Sequence, residues 1–333
     1  MDLKYNYVVF NPLFSSSHRE EDYYYICAKD LEGHDNIIVN HEALQEWPKW
    51  IRYAYKLHHH PAMNKWFDLP FKSLWFPFIF KNTFKDDKPI CFVCVRYPSS
   101  SYLIYLRKHY PNCKIVVLCR DLLKTHEDMY NEYMNAKAID IWMSYDDQES
   151  KKYGFPHFEE FESKIDIPIL DNYPLADVFF AGKAKDRLPK LVDVYDNLTS
   201  KGVKCLFYVT GVETKDKVER EGIKYLDKQI TYYEMLSLSV NSKCILEINQ
   251  GNAIGYSSRF LEAVMFNKKL ITDNLYIKKS QFYNTDYIQC FEKVEDIQAE
   301  FVKKEVDVNY NYKDEFSPVH IIELIDRDVL SIS

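Results

Sequence analysis

Hydrophobic and polar residues occur in alternating blocks along the chain. Short continuous apolar runs, such as residues 89–95 (PICFVCV) and 114–119 (KIVVLC), are separated by polar segments with helical spacing. Uninterrupted apolar strands that alternate with helices are typical of a parallel sheet covered on both faces. The pattern therefore predicts an α/β fold built on parallel sheets.

This alternation is interrupted at residues 165–176 (IDIPILDNYPLA), which carry two prolines and no helical period. After that stretch the alternation of strands and helices restarts. A chain of 333 residues is long enough for two domains that each bury a core. We predict a first Rossmann-like domain at residues 1–170, a second at 171–312 and a C-terminal segment at 313–333 that crosses back to the first.

The composition is that of a soluble globular protein, with 47% hydrophobic and 28% charged residues. The net charge of -7 argues against nucleic acid as a partner, because phosphate binding requires a basic face. No apolar run is long enough to span a membrane, and no signal peptide is recognisable. Cysteines such as Cys91 and Cys94 lie in apolar runs, which favours buried, reduced thiols over zinc ligands. We therefore expect a cytoplasmic protein.

Glycine is concentrated in the second half of the chain, where six of the eight lie between residues 182 and 255. Glycine allows sharp turns and a close approach to a ligand. In open α/β sheets, ligands bind beyond the carboxyl ends of the strands. Three loops are expected at that edge of the second domain: residues 181–187, 210–215 and 250–259. In the first of them, a glycine and several cations follow a predicted strand end.

The third loop leads into a predicted helix with the sequence SSRFLEAVM. Ser257 and Ser258 are candidates for its N-cap. Arg259 in the first turn opposes the helix dipole, a conflict that a bound diphosphate would remove. Glu262 lies on the same face and could accept hydrogen bonds from a ribose. Alternatively, Ser257 is a simple cap, and Arg259 and Glu262 form a surface ion pair.

The strand followed by GKAKDR, the glycine after the next strand and the stretch GYSSRFLEAVMFNKKLIT resemble the donor-binding domain of GT-B glycosyltransferases. The resemblance is greatest to bacterial enzymes that build surface polysaccharides. It implies two Rossmann-like domains facing across a cleft. The second would bind a nucleotide-diphosphate sugar, with a UDP-sugar favoured, and the first a glycan or lipid-linked glycan acceptor.

The resemblance also implies which residues contact the donor. Glu262 would hold the ribose, Arg259 and the serine turn the diphosphate, and Lys183 or Arg187 a second phosphate oxygen. No metal ion or other cofactor is expected, because cations and a helix N-terminus can take the charge of the leaving group. The implied donor-binding residues are Gly182, Lys183, Arg187, Gly211, Gly255, Ser257, Ser258, Arg259 and Glu262.

The sequence departs from the family pattern at one position. Retaining members often carry E-x7-E, and here Ile254 stands where the first acid is expected. Either a neighbour such as Glu247, Asn249 or Gln250 replaces that acid, or the enzyme belongs to another stereochemical class. Two other functions stay open: a GT-B-shaped sugar-nucleotide epimerase, and a non-catalytic partner subunit that keeps the nucleotide cleft.

An inverting enzyme needs a general base near the acceptor hydroxyl. His18, in the loop after the first predicted strand, and Asp121, after residues 114–119, are candidates for this role. Residues 66–80 are densely aromatic and have lysines in or near them. This stretch could pack between the domains, which its prolines favour, or make a peripheral contact with the inner face of a membrane.

Overall fold

The structure is a computed structural model that describes residues 2–11, 21–40, 47–58, 60, 71–249 and 254–331. It divides the chain into two compact units. Unit 1 comprises Met1–Arg19, Tyr24–Phe158 and Pro318–Ser333, and unit 2 comprises Glu20–Tyr23 and Glu159–Ser317.

These bounds differ from the predicted division at residue 170. The segment after Phe158 already belongs to unit 2 because its backbone pairs there, with the Glu162 amide donating to the Phe316 carbonyl at 2.8 Å. The prolines at residues 168 and 174 therefore lie inside unit 2. The C-terminal stretch belongs to unit 1 from Pro318 onward.

Unit 1 contains a five-stranded parallel sheet with the order β2-β1-β3-β4-β5, as in flavodoxin-like folds. Each strand matches an apolar run of the sequence, which confirms the strands predicted there. The strands are β1 (Asn6–Phe10), β2 (Ile37–Asn40), β3 (Ile90–Cys94), β4 (Lys114–Cys119) and β5 (Ile141–Ser144).

The described helices of unit 1 are mostly short. Asp146 caps one of them: its side chain accepts a hydrogen bond from the backbone amide of Glu149 at 2.8 Å. The helices are α1 (Tyr23–Ile26), α2 (Lys49–His58), α3 (Phe76–Ile79), α4 (Ser100–His109), α5 (Glu127–Asn135), α6 (Asp147–Tyr153) and, in the C-terminal stretch, α11 (Pro318–Leu324).

The C-terminal stretch is attached to the start of β1. Asp326 accepts hydrogen bonds from the Lys4 amide at 2.9 Å and from the Tyr7 hydroxyl at 2.8 Å. Asp326 is 5% exposed, so these bonds satisfy a carboxylate that lies largely out of water.

Unit 2 contains a six-stranded parallel sheet with the order β11-β10-β9-β6-β7-β8. Counted from β6, this is the 3-2-1-4-5-6 order of a Rossmann fold, whose switch point lies between β6 and β9. The strands are β6 (Val178–Lys183), β7 (Cys205–Thr210), β8 (Ile223–Leu226), β9 (Cys244–Glu247), β10 (Lys269–Thr272) and β11 (Ile288–Cys290).

The helices of unit 2 bury apolar faces on both sides of this sheet. Apolar runs of the sequence form four of its strands, as the alternating pattern predicts, and β8 is the short stretch IKYL. The three-residue β11 was not predicted, because so short a run gives no clear periodic signal. The helices are α7 (Leu188–Ser200), α8 (Tyr232–Val240), α9 (Ser258–Met265) and α10 (Ala299–Lys303).

Candidate functional site

The carboxyl edge of the unit 2 sheet opens at the switch point. β6 pairs with β9 at only two positions, Val178 with Cys244 and Phe179 with Ile245. With β7, by contrast, β6 stays paired as far as Lys183 and Thr210. The last residues of β6 are therefore joined to β7 and not to β9. A crevice at this place is where open α/β sheets bind ligands.

Arg187 joins the two strand ends at this opening. Its guanidinium donates to the Lys183 carbonyl at 2.7 Å and to the Ile248 carbonyl, and it lies 5.4 Å from the centre of the Phe180 ring. Among the described residues Arg187 forms no ion pair with a carboxylate. Its direct contacts are thus with carbonyl oxygens and a ring, and the charges of Asp186, Asp273 and Glu247 act on it without a direct ion pair.

Gly182 lies inside β6 and not beyond its end, which corrects the prediction. A Cβ atom there would come within 3.0 Å of the Arg187 guanidinium and 3.2 Å of the Phe180 ring. Glycine at this position therefore makes room for the arginine. Lys183 ends the strand and is exposed at the same edge.

Arg259 lies on the other side of the opening, in the first turn of α9. It forms an ion pair with Glu262 and approaches the Ala181 carbonyl at 3.4 Å. The Arg259 side chain is 22% exposed, whereas the Glu262 side chain is not exposed at all. The ion pair of the alternative interpretation thus exists, but it is not a surface pair.

Tyr232, in the first turn of α8, fixes the carboxylate of Glu262. Its hydroxyl lies between two carboxylates, 3.1 Å from Glu262 and in contact with Glu162, and its single proton is shared between them. Burial raises the pKa of Glu262, and the neighbouring Arg259 opposes that shift. The second carboxylate oxygen of Glu262 has no hydrogen-bond partner among the described residues. Glu262 therefore holds Arg259 from inside the unit.

The two arginines lie close enough to affect each other. Burial lowers the pKa of Arg187, and the charge of Arg259 lowers it further. Glu262 neutralises Arg259, and the carboxylates of Asp186, Asp273 and Glu247 partly offset the two effects that lower the pKa of Arg187. An anion bound beside both guanidiniums would relieve their repulsion.

Ser257 is the N-cap of α9, as predicted, and accepts a hydrogen bond from the Phe260 amide at 3.3 Å. Ser258 is the first helical residue and not the cap, and its hydroxyl is 3.1 Å from that of Tyr23. Gly255 is buried, and its carbonyl accepts from the Asn274 side chain at 2.9 Å. These contacts fix the chain where it enters α9.

Two of the three neighbours that could replace the acid missing at Ile254 lie within the described residues. Glu247, at the end of β9, is 3% exposed and accepts from the Thr272 hydroxyl at 2.6 Å, and burial raises its pKa. The backbone N–H of Asn249 donates to Asp273 at 2.7 Å, and Asp273 also pairs with Lys190 at 2.7 Å. Gln250 lies outside the described residues.

Gly211 follows β7 at the same edge and is exposed. Its φ of +73° is a left-handed conformation that residues with a Cβ atom rarely adopt. The structure thus places the predicted donor residues of unit 2 at the carboxyl edge of one sheet. Whether each of them contacts a nucleotide stays a prediction.

The two acid–base candidates of unit 1 have different outcomes. Asp121 follows β4, is exposed, and accepts from the Leu122 amide at 2.8 Å. This hydrogen bond is local, and the role of Asp121 as a general base stays a prediction. His18 lies outside the described residues.

Sequence reasoning missed Tyr232 and Glu162 as partners of Glu262. Tyr232 and Glu162 are 70 residues apart in the chain, and no local pattern connects them. Lys190 and Asp273 were missed as well, although Asp273 directly follows β10, and the position after a strand end is a usable signal.

Among the described residues, no group of three His, Cys, Asp or Glu side chains is arranged to hold a metal ion. Cys91 and Cys94 are buried in β3, and burial raises the pKa of both thiols. Across all the ranges that the structure describes, no helix is long and apolar enough to cross a membrane.

Comparison with known proteins gives similarity in structure only. No protein-family model matches the chain, and neither does any curated protein sequence. Among solved structures, Anabaena HepE in complex with UDP and glucose has a TM-score of 0.55 at 10% identity, over 98% of this chain and 100% of that one. This likeness shows the fold, two Rossmann-like domains of the GT-B type.

Two further structures are less similar. The pneumococcal O-GlcNAc transferase GtfA, in complex with UDP and GlcNAc, has a TM-score of 0.44 at 12% identity over 74% of this chain. This chain spans 57% of the length of GtfA. The N-terminal domain of Candida albicans trehalose-6-phosphate phosphatase has a TM-score of 0.43 at 11% identity, over 99% of this chain and 94% of that one.

Proposed function

We propose that this protein is a glycosyltransferase that uses a nucleotide-diphosphate sugar, with a UDP-sugar favoured, and a glycan or lipid-linked glycan acceptor of surface-polysaccharide synthesis. The observation that carries the proposal is the pair Arg187 and Arg259 at the switch point of the unit 2 sheet. Two partly buried guanidiniums beside a helix N-terminus match the chemistry of a diphosphate.

In this proposal Arg187 contacts a phosphate oxygen directly. Its carbonyl partners fix the guanidinium before the ligand arrives, so little side-chain entropy is lost on binding. Lys183 and the free amides at the start of α9 add positive charge. As the sugar–phosphate bond breaks, the negative charge that develops on the leaving nucleotide is stabilised by these groups.

We further propose that Glu262 positions Arg259 and does not contact ribose. The ribose role came from the family pattern, whereas here the Glu262 carboxylate is unexposed and bonded to Arg259 and Tyr232. To reach a ribose hydroxyl, Glu262 would have to leave the arginine and expose a buried cation without its partner.

Calorimetry on the variant Glu262→Gln separates the two roles. A positioning role predicts that the variant binds UDP several-fold more weakly than the wild type and binds uridine equally well. A ribose contact predicts the same loss for UDP and uridine. Tyr233→Phe, on the half-buried neighbour of Tyr232, is the matched control and should change neither affinity.

Turnover tests the enzymatic part of the proposal. The full chain is incubated with a panel of UDP- and GDP-sugars, with and without glycan acceptors, and the released nucleotide is measured. Release that depends on an acceptor supports glycosyl transfer. Conversion of the donor sugar without an acceptor would indicate the epimerase instead, and nucleotide binding without turnover of any donor would indicate the non-catalytic partner subunit.

A further inference from the structure

Large apolar side chains are exposed together on one part of unit 1. Of the fourteen exposed large hydrophobic residues among those the structure describes, six fall between residues 50 and 78. They are Trp50 at 72% exposure, Tyr53 at 72%, Leu57 at 46%, Phe71 at 71%, Leu74 at 66% and Phe78 at 56%. Single exposed apolar residues are ordinary, but a group of this size marks an interaction surface.

The six residues belong to one surface because α2 packs against the segment around Trp75. The Trp75 ring lies 5.6 Å from that of Tyr55, and its indole N–H donates to His58 at 2.8 Å. Trp47, just before α2, contacts Trp75 at 6.3 Å and Phe78 at 5.9 Å between ring centres. The inner face of α2 is thereby occupied, and its outer face points to solvent.

On the outer face of α2, apolar and basic residues are mixed. Trp50, Tyr53 and Leu57 follow the helical spacing of a single face, and Lys49 and Lys56 are exposed beside them. Residues 47–58 and 71–85 together contain six basic residues and no acidic one. This local charge is opposite in sign to the net charge of -7 of the whole chain.

We propose that this basic aromatic surface, residues 47–58 and 71–85 of unit 1, binds the headgroup region of a membrane that contains anionic phospholipids. Trp and Tyr are favoured at the level of the headgroups, and Leu and Phe enter the acyl boundary. Lysines nearby are attracted to the negative lipid surface.

The side chains favour lipid over other anionic partners. A nucleic acid would use the cations, but it offers no apolar medium for exposed Leu57, Leu74 and Phe78. The binding surface proposed here does not depend on the proposed glycosyl transfer. A lipid-linked acceptor would, however, be reached most directly by an enzyme bound to the membrane in this way.

Flotation with lipid vesicles tests the proposal on the full chain. We expect binding to vesicles of phosphatidylcholine mixed with phosphatidylglycerol, and at least tenfold weaker binding to phosphatidylcholine alone. Binding should also fall as salt is raised, because the attraction between exposed charges is screened. No binding to the mixed vesicles at low salt would overturn the proposal.

Variants assign the binding to this surface. Lys49→Gln and Lys56→Gln should each weaken binding about fivefold, from the roughly 1 kcal/mol that each cation contributes. The double variant with Trp50→Ser and Leu74→Ser should lose vesicle binding. Ile169→Ser, which removes a side chain 58% exposed in unit 2, is the matched control and should bind as the wild type does.

Two further readouts keep the outcome interpretable. Unchanged thermal unfolding of the double variant shows that it is folded, which exposed positions should allow. Vesicle binding by the folded double variant at wild-type strength would overturn the proposal. The proposal would also be overturned if a duplex oligonucleotide displaced the protein from vesicles and still bound the folded double variant. The surface would then recognise phosphates and not lipid.

Discussion

Cations occur in two opposite surroundings in this protein. At the switch point of unit 2, Arg187 and Arg259 are partly buried and held by carbonyl oxygens and by Glu262. On unit 1, Lys49 and Lys56 stand in solvent among exposed aromatic side chains. The same charge suits different kinds of ligand in the two places: guanidiniums fixed by hydrogen bonds suit one anion of defined shape, whereas exposed ammonium groups suit an extended charged surface.

The largest expected effect concerns the stability of the buried pair. Glu262→Ala would leave Arg259 in the interior without its carboxylate, which costs about 3–5 kcal/mol of unfolding free energy. Urea unfolding of wild type and variant measures this difference.

The matched control for this prediction is Glu213→Ala. Glu213 pairs with Lys215 where both side chains are more than 70% exposed. Such pairs contribute about 0–1 kcal/mol, so this variant should unfold almost as the wild type does. Equal losses in the two variants would mean that the burial of Glu262 has no energetic consequence.

The next effect concerns the affinity for the diphosphate. Arg187→Ala should weaken UDP binding by about 1.5–3 kcal/mol, roughly 10- to 150-fold, because a charged hydrogen-bond donor is lost. Uridine, which has no phosphate, should bind equally well to both proteins. Arg220→Ala removes a more exposed arginine of the same unit, paired with Asp196, and should leave both affinities unchanged. A parallel loss of uridine binding would show that Arg187 acts through the fold.

Much of the fold follows from the sequence, since short continuous apolar runs predict the strands, and their alternation with helices predicts parallel sheets. The site follows only in part. The cap at Ser257 is a local feature with a local signal, and it was predicted. The environment of Glu262 was not, because Tyr232 and Glu162 reach it through the folding of distant segments. Whether a charged side chain is buried depends on the packing of the whole unit, which a short stretch of sequence does not show.

A third prediction concerns a buried cation outside the site. Lys268 is 8% exposed, its ammonium lies 4.8 Å from the centre of the Tyr173 ring, and burial lowers its pKa from 10.5 to about 8. Because the pKa of Lys268 is lower in the folded state than in the unfolded state, the free energy of unfolding is greatest above the unfolded-state pKa. It decreases as pH falls from that value towards 8. Lys268→Met should therefore stabilise the protein at pH 7 by about 1–2 kcal/mol.

Thermal unfolding between pH 7 and pH 10.5 checks this prediction. The gain from Lys268→Met should shrink as pH rises from 8 towards the unfolded pKa of about 10.4. Lys224→Met, at an exposed position of β8, is the control and should show no such trend. A gain that is constant across this range would mean that the charge of Lys268 is not the cause.

The smallest expected effect is that of ionic strength on UDP binding, compared with its effect on vesicle binding. Raising the ionic strength should reduce vesicle binding steeply and UDP binding by only a few-fold, because partly buried charges are screened less than exposed ones. Titrations of both ligands over the same salt series make the comparison. Identical salt slopes would contradict the contrast between the two regions.

The most direct test of the central claim is calorimetry of the full chain with UDP and with uridine at moderate salt. If the arginine pair at the switch point binds the diphosphate, UDP binds at least tenfold more tightly than uridine, and Arg187→Ala removes most of that difference. If neither ligand binds, or if both bind equally well, unit 2 does not hold a nucleotide diphosphate and the account is wrong.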